Sequence, residues 1–239
     1  MAVELIRVAA GTHDLAVLRY VPRQPRGVTV VAGHGYSSSK HNLDFLCAFL
    51  AAHGFDVLSL DFPGHKLGAS GGVLRGVDDL TASMAAVVQY AYLSQDPLYA
   101  LGHSMGAMTA LFVAGADARI AGTVAIATGY GRPSAIESLQ SRGVTDFRSS
   151  YVDGLSLPEL LNESIDLRYD EALAGLSGRP QLYVAARRDT MVNRASVESL
   201  YDHARETKSF VTIDSDHTYA AENARGEVLQ WLNQRHPRR

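Results

Sequence analysis

Apolar residues along this chain fall into short unbroken runs separated by longer stretches of helical periodicity. The runs at 28–32, 57–60, 98–101, 122–127, 181–185 and 210–213 are apolar throughout rather than alternating, which predicts six buried parallel strands. Between them, amphipathic patterns predict helices over 43–52, ending at His53-Gly54, over 77–93, over 105–114, ending at Gly115, and over 195–206 and 221–234. Ahead of the first run, 3–8 and 15–21 flank Gly11-Thr12-His13-Asp14 and predict an antiparallel pair at one edge. Strand and helix in alternation therefore predict an α/β fold, a mostly parallel twisted sheet of about eight strands with helices on both faces.

One crossover breaks the pattern. About fifty residues with glycines, prolines, charges and only short helical patterns separate the run ending near Ala127 from the one starting at Gln181. So long a connection is expected to be a lid or binding loop, or else disordered, and 129–178 is read as a short cap inserted into one domain spanning 1–239. No internal repeat or low-complexity linker marks a second domain.

Composition narrows the function classes. The chain of 239 residues is 46% hydrophobic and 20% charged, ordinary for one sizeable core. Its net charge of -3, with both signs mixed along the chain, gives no electrostatic case for nucleic acid or an anionic membrane surface. The basic residues 235–239 read as a solvated tail. The first residues lack the apolar core of a signal peptide, and no apolar stretch approaches the ~20 residues of a membrane span, so a cytoplasmic protein is expected. The lone cysteine, Cys47, can form no internal disulfide and sits among Leu46, Phe49 and Leu50 as a helix core residue. The histidines lack ligand spacing, and 68–72 lacks the lysine and the strand-to-helix setting of a nucleotide loop; neither a metal nor a cofactor is expected.

Candidate chemistry begins at Gly102-His103-Ser104-Met105-Gly106, between the apolar run 98–101 and the helical run from 107. In a chain with 21 glycines, a G-x-S-x-G match is weak by itself. Its setting strengthens it: a serine on a sharp strand-to-helix turn needs glycines two before and two after, because a Cβ there would collide with the neighbouring helix or strand. The turn also puts Ser104 at a helix N-terminus, where the Met105 N–H is a natural oxyanion donor. The plainer reading is a glycine-rich turn with an N-capping serine.

A serine hydroxyl becomes a good nucleophile when a histidine takes its proton and a carboxylate orients that histidine. Of the nine histidines, His217 follows the strand at 209–213 on a loop at the carboxyl edge of the sheet, where ligands collect in open α/β sheets. His13, His41, His53, His203 and His236 have solvated or capping readings. His34 and His65 also sit beside strand ends, and His103, inside the turn, reads as packing. Asp189 follows the strand at 181–185 on the same edge. Asp214 and Asp216 are rivals by proximity to His217, although residues so close along a loop rarely reach the far ring nitrogen.

Serine, acid and histidine in that chain order, each after a successive strand, resemble the α/β-hydrolase superfamily over nearly the whole length. The matching pieces are residues 30–72, "GHSMG", "RRDTMV" and "SDHTY". The resemblance implies that fold with a short lid. It also implies that His34-Gly35 orients an oxyanion loop in which the N–H of Tyr36 pairs with that of Met105. Asp61-Phe62-Pro63-Gly64-His65 resembles the Asp-x-x-Gly-His segment of the esterase, monoacylglycerol-lipase-like and serine aminopeptidase branch, with Asp61 and His65 as loop stabilisers. Lys66-Leu67-Gly68 stands where that branch commonly has Gly-x-Ser.

The expected activity is hydrolysis of a carboxylic ester with a small to medium acyl chain by Ser104, His217 and Asp189. A thioesterase, acyltransferase, amidase or C–C bond hydrolase would use the same three residues, and a non-catalytic binding protein is the alternative from another class. The expected partner is a small-molecule acyl substrate, with monomer and dimer both left open. Candidate substrate contacts are His34, Tyr130, Phe147, Tyr151 and Met191. Ile136, Leu139, Leu155, Leu157, Leu160 and Leu161 could give an apolar pocket, and Arg132, Arg142 and Arg148 could meet a carboxylate or phosphate. The plainer reading is that the apolar residues dock the lid and the arginines are solvated.

Overall fold

In the computed structural model, which describes residues 1–94, 96–131, 143–162 and 165–238, the apolar runs assemble into one eight-stranded sheet. The strands are β1 (Ala2–Ala10), β2 (His13–Val21), β3 (Thr29–Gly33), β4 (Asp56–Leu60), β5 (Leu98–His103), β6 (Ile120–Ile126), β7 (Gln181–Ala186) and β8 (Lys208–Ile213). Their order across the sheet is β1-β2-β4-β3-β5-β6-β7-β8. β2 is antiparallel to β1 and β4, and every pairing from β4 to β8 is parallel. The six parallel strands thus match the six apolar runs. β3 to β7 are buried along nearly their whole length, but β8 is half-buried over Lys208 to Thr212. With β7 alone beside it, β8 is an edge strand, so its apolar sequence did not imply full burial.

Alternate side chains of each strand point to opposite faces. Val31, Leu58, Ala100, Ala125 and Tyr183 enter one hydrophobic layer; Val30, Val57, Leu101, Val124 and Leu182 enter the other. The first layer is covered by α2 (Val77–Ala91), α3 (Met105–Ala116), α6 (Ile165–Gly175) and α7 (Arg194–His203), the second by α1 (Asp44–Ala52), α8 (Ala220–Asn223) and α9 (Arg225–Arg235). The long crossover carries α4 (Val144–Ser149) and α5 (Leu157–Asn162) ahead of α6. None of the helices among the described residues is long and apolar enough to cross a membrane.

Several helix boundaries differ from the sequence pattern, among them the ends of α2 at Ala91 and of α7 at His203. α3 runs through Gly115 to Ala116, because that glycine serves helix contact rather than termination. A Cβ at Gly115 would lie 2.6 Å from the Ala172 backbone, and one at Gly175 would lie 2.2 Å from the Gly115 carbonyl oxygen. α7 starts at Arg194 because the Asn193 side chain caps it, accepting the Ser196 N–H at 2.9 Å. The last helical stretch is two pieces, α8 and α9, meeting at Ala224.

The crossover is tied to the loop after β4 by main-chain hydrogen bonds. Lys66 N–H donates to Tyr151 O (3.0 Å), Asp153 N–H to Gly64 O (2.8 Å), Leu74 N–H to Asp153 O (2.8 Å) and Leu155 N–H to Leu74 O (2.9 Å). Gly64, at φ 77°, has no room for a side chain, since a Cβ would meet Asp153 O at 2.5 Å.

Candidate active site

β5 ends at His103 and α3 starts at Met105, leaving Ser104 to make the turn at φ 55° and ψ −117°. An L-residue is strained there, and the surroundings impose it. A Cβ on Gly102 would lie 2.1 Å from the Gly106 backbone, and one on Gly106 would lie 2.1 Å from the Gly33 carbonyl oxygen. Both obstacles are main chain and cannot swing aside, so the two glycines are required where the motif has them. From Leu98 to Ala114 every residue is buried except Ser104.

His217, on the loop after β8, brings its Nε2 to 3.1 Å from Ser104 Oγ, while its Nδ1 lies 2.7 Å from Asp189 Oδ2. An ionised carboxylate only accepts, so Nδ1 carries the proton and Nε2 offers its lone pair to the serine hydroxyl. Asp189, after β7, is held from the other side, Oδ1 accepting the N–H groups of Met191 and Val192, both at 2.8 Å. Burial by itself would raise the Asp189 pKa; the His217 hydrogen bond and charge, with those two amides, outweigh it and leave the carboxyl below its ordinary value. The rival acids lie elsewhere: Asp214 pairs with Arg188 at the surface (3.2 Å), and Asp216 accepts the Tyr219 N–H (3.0 Å).

Gly35 packs against the turn, where a Cβ would meet His103 Nδ1 at 3.3 Å and Ser104 Cβ at 3.4 Å. The next residue, Tyr36, is buried and its hydroxyl donates to Leu155 O (2.8 Å). Neither the Tyr36 nor the Met105 main-chain N–H has an acceptor among the described residues.

Several residues have different surroundings from those their sequence positions suggested. His34 is fully buried: its Nδ1–H donates to Gly35 O (2.8 Å) and its Nε2 accepts the Phe62 N–H (3.0 Å). Burial, then the neighbouring His65, depresses its pKa to about 3. It holds the 34–36 loop to the segment after β4 and has no face left for a substrate. Tyr130 stacks on His203 (4.1 Å between ring centroids) and donates to Asp170 (3.1 Å), so its described contacts include none of Ser104, His217 and Asp189. Phe147 is 65% exposed and touches Tyr151 edge-on, and half-buried Tyr151 gives its carbonyl to Lys66. Met191 acts through its main chain, on Asp189. Leu157, Leu160 and Leu161 are buried in the same layer as α3 and α6, where they dock the crossover. Arg132, Ile136, Leu139 and Arg142 lie outside the described residues.

His103 and Lys40 were not singled out as site residues, yet both are engaged here. His103 Nε2–H donates to the carbonyl of His217 (2.8 Å), and burial, then the nearby His217, lowers its pKa to about 3. It therefore stays neutral and fixes the loop that carries His217. Lys40 is buried with Asp61, its Nζ 2.5 Å from Oδ2 and its N–H 2.7 Å from Oδ1. A buried aspartate demands such a cation, but the burial of Asp61 shows only in the structure, and nothing in the sequence marked Lys40. Cys47 is a buried core thiol, its pKa pushed up to about 12 by burial. A cleft of about 1090 Å³, lined by residues including Arg26, Ala52 and His236, lies at the opposite, N-terminal ends of β3 and β4. Among the described residues, no three His, Cys, Asp or Glu side chains are grouped to hold a metal ion.

The chain belongs to the alpha/beta hydrolase family, whose model matches residues 15–234. Solved structures with the same fold include an esterase from Pyrococcus furiosus, 20% identical with a TM-score of 0.73, the match covering 98% of this chain and 92% of that one. A thermophilic esterase from Thermogutta terrifontis is 17% identical with a TM-score of 0.71, covering 98% and 99% of the two chains. The thioesterase domain from the curacin biosynthetic pathway is 15% identical with a TM-score of 0.67, covering 98% and 100%. At these identities the likeness is one of fold. No curated protein matches the sequence.

Proposed function

We propose that this protein is a serine hydrolase that cleaves carboxylic esters of small to medium acyl chain through an acyl-enzyme. The observation that carries the reading is the unbroken line from Asp189 Oδ2 to His217 Nδ1 and from His217 Nε2 to Ser104 Oγ. Ser104 Oγ attacks the ester carbonyl as its proton passes to Nε2, and the imidazolium that forms is stabilised by Asp189. The developing oxyanion is received by the N–H groups of Tyr36 and Met105, whose freedom from other acceptors suits that task, with the α3 N-terminus adding its dipole. His217 then protonates the departing alkoxide. Water, deprotonated by the same Nε2, cleaves the acyl-enzyme and restores the serine. Residues 129–178 are taken as the cap over this site. Among its described residues, Leu157, Leu160 and Leu161 are buried in docking it.

The test is a panel of p-nitrophenyl esters of increasing acyl length, run beside thioester and amide analogues. Ester turnover that peaks at short to medium chains and is lost with Ser104→Ala is expected. Equal rates for wild type and Ser104→Ala would sink the assignment, and faster thioester or amide cleavage would move it to another acyl-transfer reaction on the same residues.

A further inference from the structure

Arg148, on α4, is half-buried and pairs with no carboxylate among the described residues. Its one described hydrogen bond runs from Nη1 to Ser37 Oγ (3.3 Å). A guanidinium stays charged in a protein, so burying it without a counterion is costly, and such a group ordinarily finds one. Other half-buried arginines here find a carboxylate or several carbonyls: Arg19 holds Asp56, and Arg179 donates to the main-chain carbonyls of Asp117, Ile120 and Gly175.

Its position ties it to the reaction. Ser37 follows Tyr36 directly, and the Tyr36 hydroxyl donates to Leu155 O in the segment after α4, a segment whose Leu157 N–H donates to Ser149 Oγ at the end of α4 (3.1 Å). Burial lowers the Arg148 pKa, while the charge of Asp189 opposes that effect; Arg148 in turn disfavours a proton on His103. Geometry places the cation there too: Ser37, which it holds, is two residues after Gly35, whose Cβ position lies 3.4 Å from Ser104 Cβ. Asp189 makes no ion pair with it; its Oδ2 accepts from His217 and its Oδ1 from the Met191 and Val192 amides. The neighbouring Lys66 is occupied by Asp153 (3.1 Å) and Ser150 O (2.9 Å) and adds nothing.

We propose that Arg148 and Ser37 form an anion subsite beside Ser104 that selects ester substrates bearing a carboxylate, such as half-esters of dicarboxylic acids. One guanidinium and one hydroxyl balance a monoanion, and the planar fork matches carboxylate geometry. This rests on the hydrolase reading above and narrows its substrate class.

The experiment measures binding apart from turnover. Monomethyl succinate and monomethyl adipate are titrated calorimetrically onto the Ser104→Ala protein, each against its dimethyl ester. The monoanion of at least one pair is expected to bind roughly ten- to hundred-fold more tightly than the diester. Adding Arg148→Met should bring that ratio close to one, and Arg148→Lys should retain part of it. Equal affinities for monoanion and diester in both pairs overturn the subsite, with no need for the Arg148 variants to fold. A preference that survives Arg148→Met overturns the assignment to this residue. In parallel, wild-type protein is assayed on p-nitrophenyl acetate. No turnover with an Arg148-dependent anion preference overturns the esterase reading alone, whereas turnover without that preference overturns the subsite alone.

Discussion

Asp189 shows how much of the proposed site depends on single atoms. Both oxygens are taken, one by the ring N–H of His217 and the other by two main-chain amides, so its side chain has one rotational setting. Asp189→Asn keeps the shape but turns one acceptor into a donor, which favours the wrong tautomer of His217. We expect kcat for a p-nitrophenyl ester to fall by on the order of 10⁴-fold at neutral pH, with the fold intact by circular dichroism. A fall of less than ten-fold would mean that His217 is oriented by something else. His103 makes a second residue-level test, since its Nε2–H is the closer of two donors to the His217 carbonyl. His103→Phe fills the space but leaves that buried carbonyl only the long bond from the Ala220 N–H (3.5 Å), at a cost of about 1–3 kcal/mol, read as a Tm lowered by several degrees. An unchanged Tm would show that the bond contributes nothing. Ser104, Asp189 and His217 could be picked out in the sequence because chain order and strand ends select them. His34 could not be read correctly, because a histidine after a strand looks the same whether its ring faces a substrate or the interior. What turns it inward is the Phe62 N–H, which lies 28 positions along the chain.

At the scale of elements, α3 is the structural centre of the site. It is buried around its whole circumference from Met105 to Ala114, lying against the sheet on one side and α2 and α6 on the other. A helix so enclosed has no polar face to set its boundaries in the sequence, and this is why Gly115 reads as a stop signal. Its actual use is close approach: Gly115 and Gly175 let α3 and α6 touch backbone to backbone. Gly115→Ala should push the two helices apart, since the added methyl would stand 2.6 Å from the Ala172 backbone. Overpacking of this kind typically costs about 1–3 kcal/mol, which should appear as a lower denaturant midpoint at unchanged m-value. Gly226→Ala is the contrast, because nothing lies within 4 Å of its Cβ position and alanine is the better helix former. The same midpoint for both variants would refute the packing role of Gly115. β8 teaches the converse lesson: strand identity follows from an apolar run, but exposure depends on having one neighbour or two.

For the whole molecule, the buried histidines set how it responds to acid. His34 and His103 have native pKa values near 3, lowered first by burial and then by a neighbouring histidine in each case, against about 6.5 in an unfolded chain. Between those two values the unfolded chain binds protons that the native protein refuses, so stability rises with pH there and is lost as pH falls. Each fully titrating histidine contributes up to about 1.4 kcal/mol per pH unit across that window. Asp61 and Asp189 act later: their native pKa values are depressed despite burial, so their contribution is present above about pH 4 and disappears as pH falls through the native values. The two sets therefore act in sequence and in the same direction. Scanning calorimetry from pH 7.5 to 4.5 should show Tm declining well before the carboxylates titrate. The decline should be shallower in His103→Phe, even though that variant starts from a lower Tm. A wild-type Tm that stays level down to pH 4.5 would show that the interior accepts these protons, and that the rings holding the 34–36 loop and the His217 loop are not confined to their neutral form.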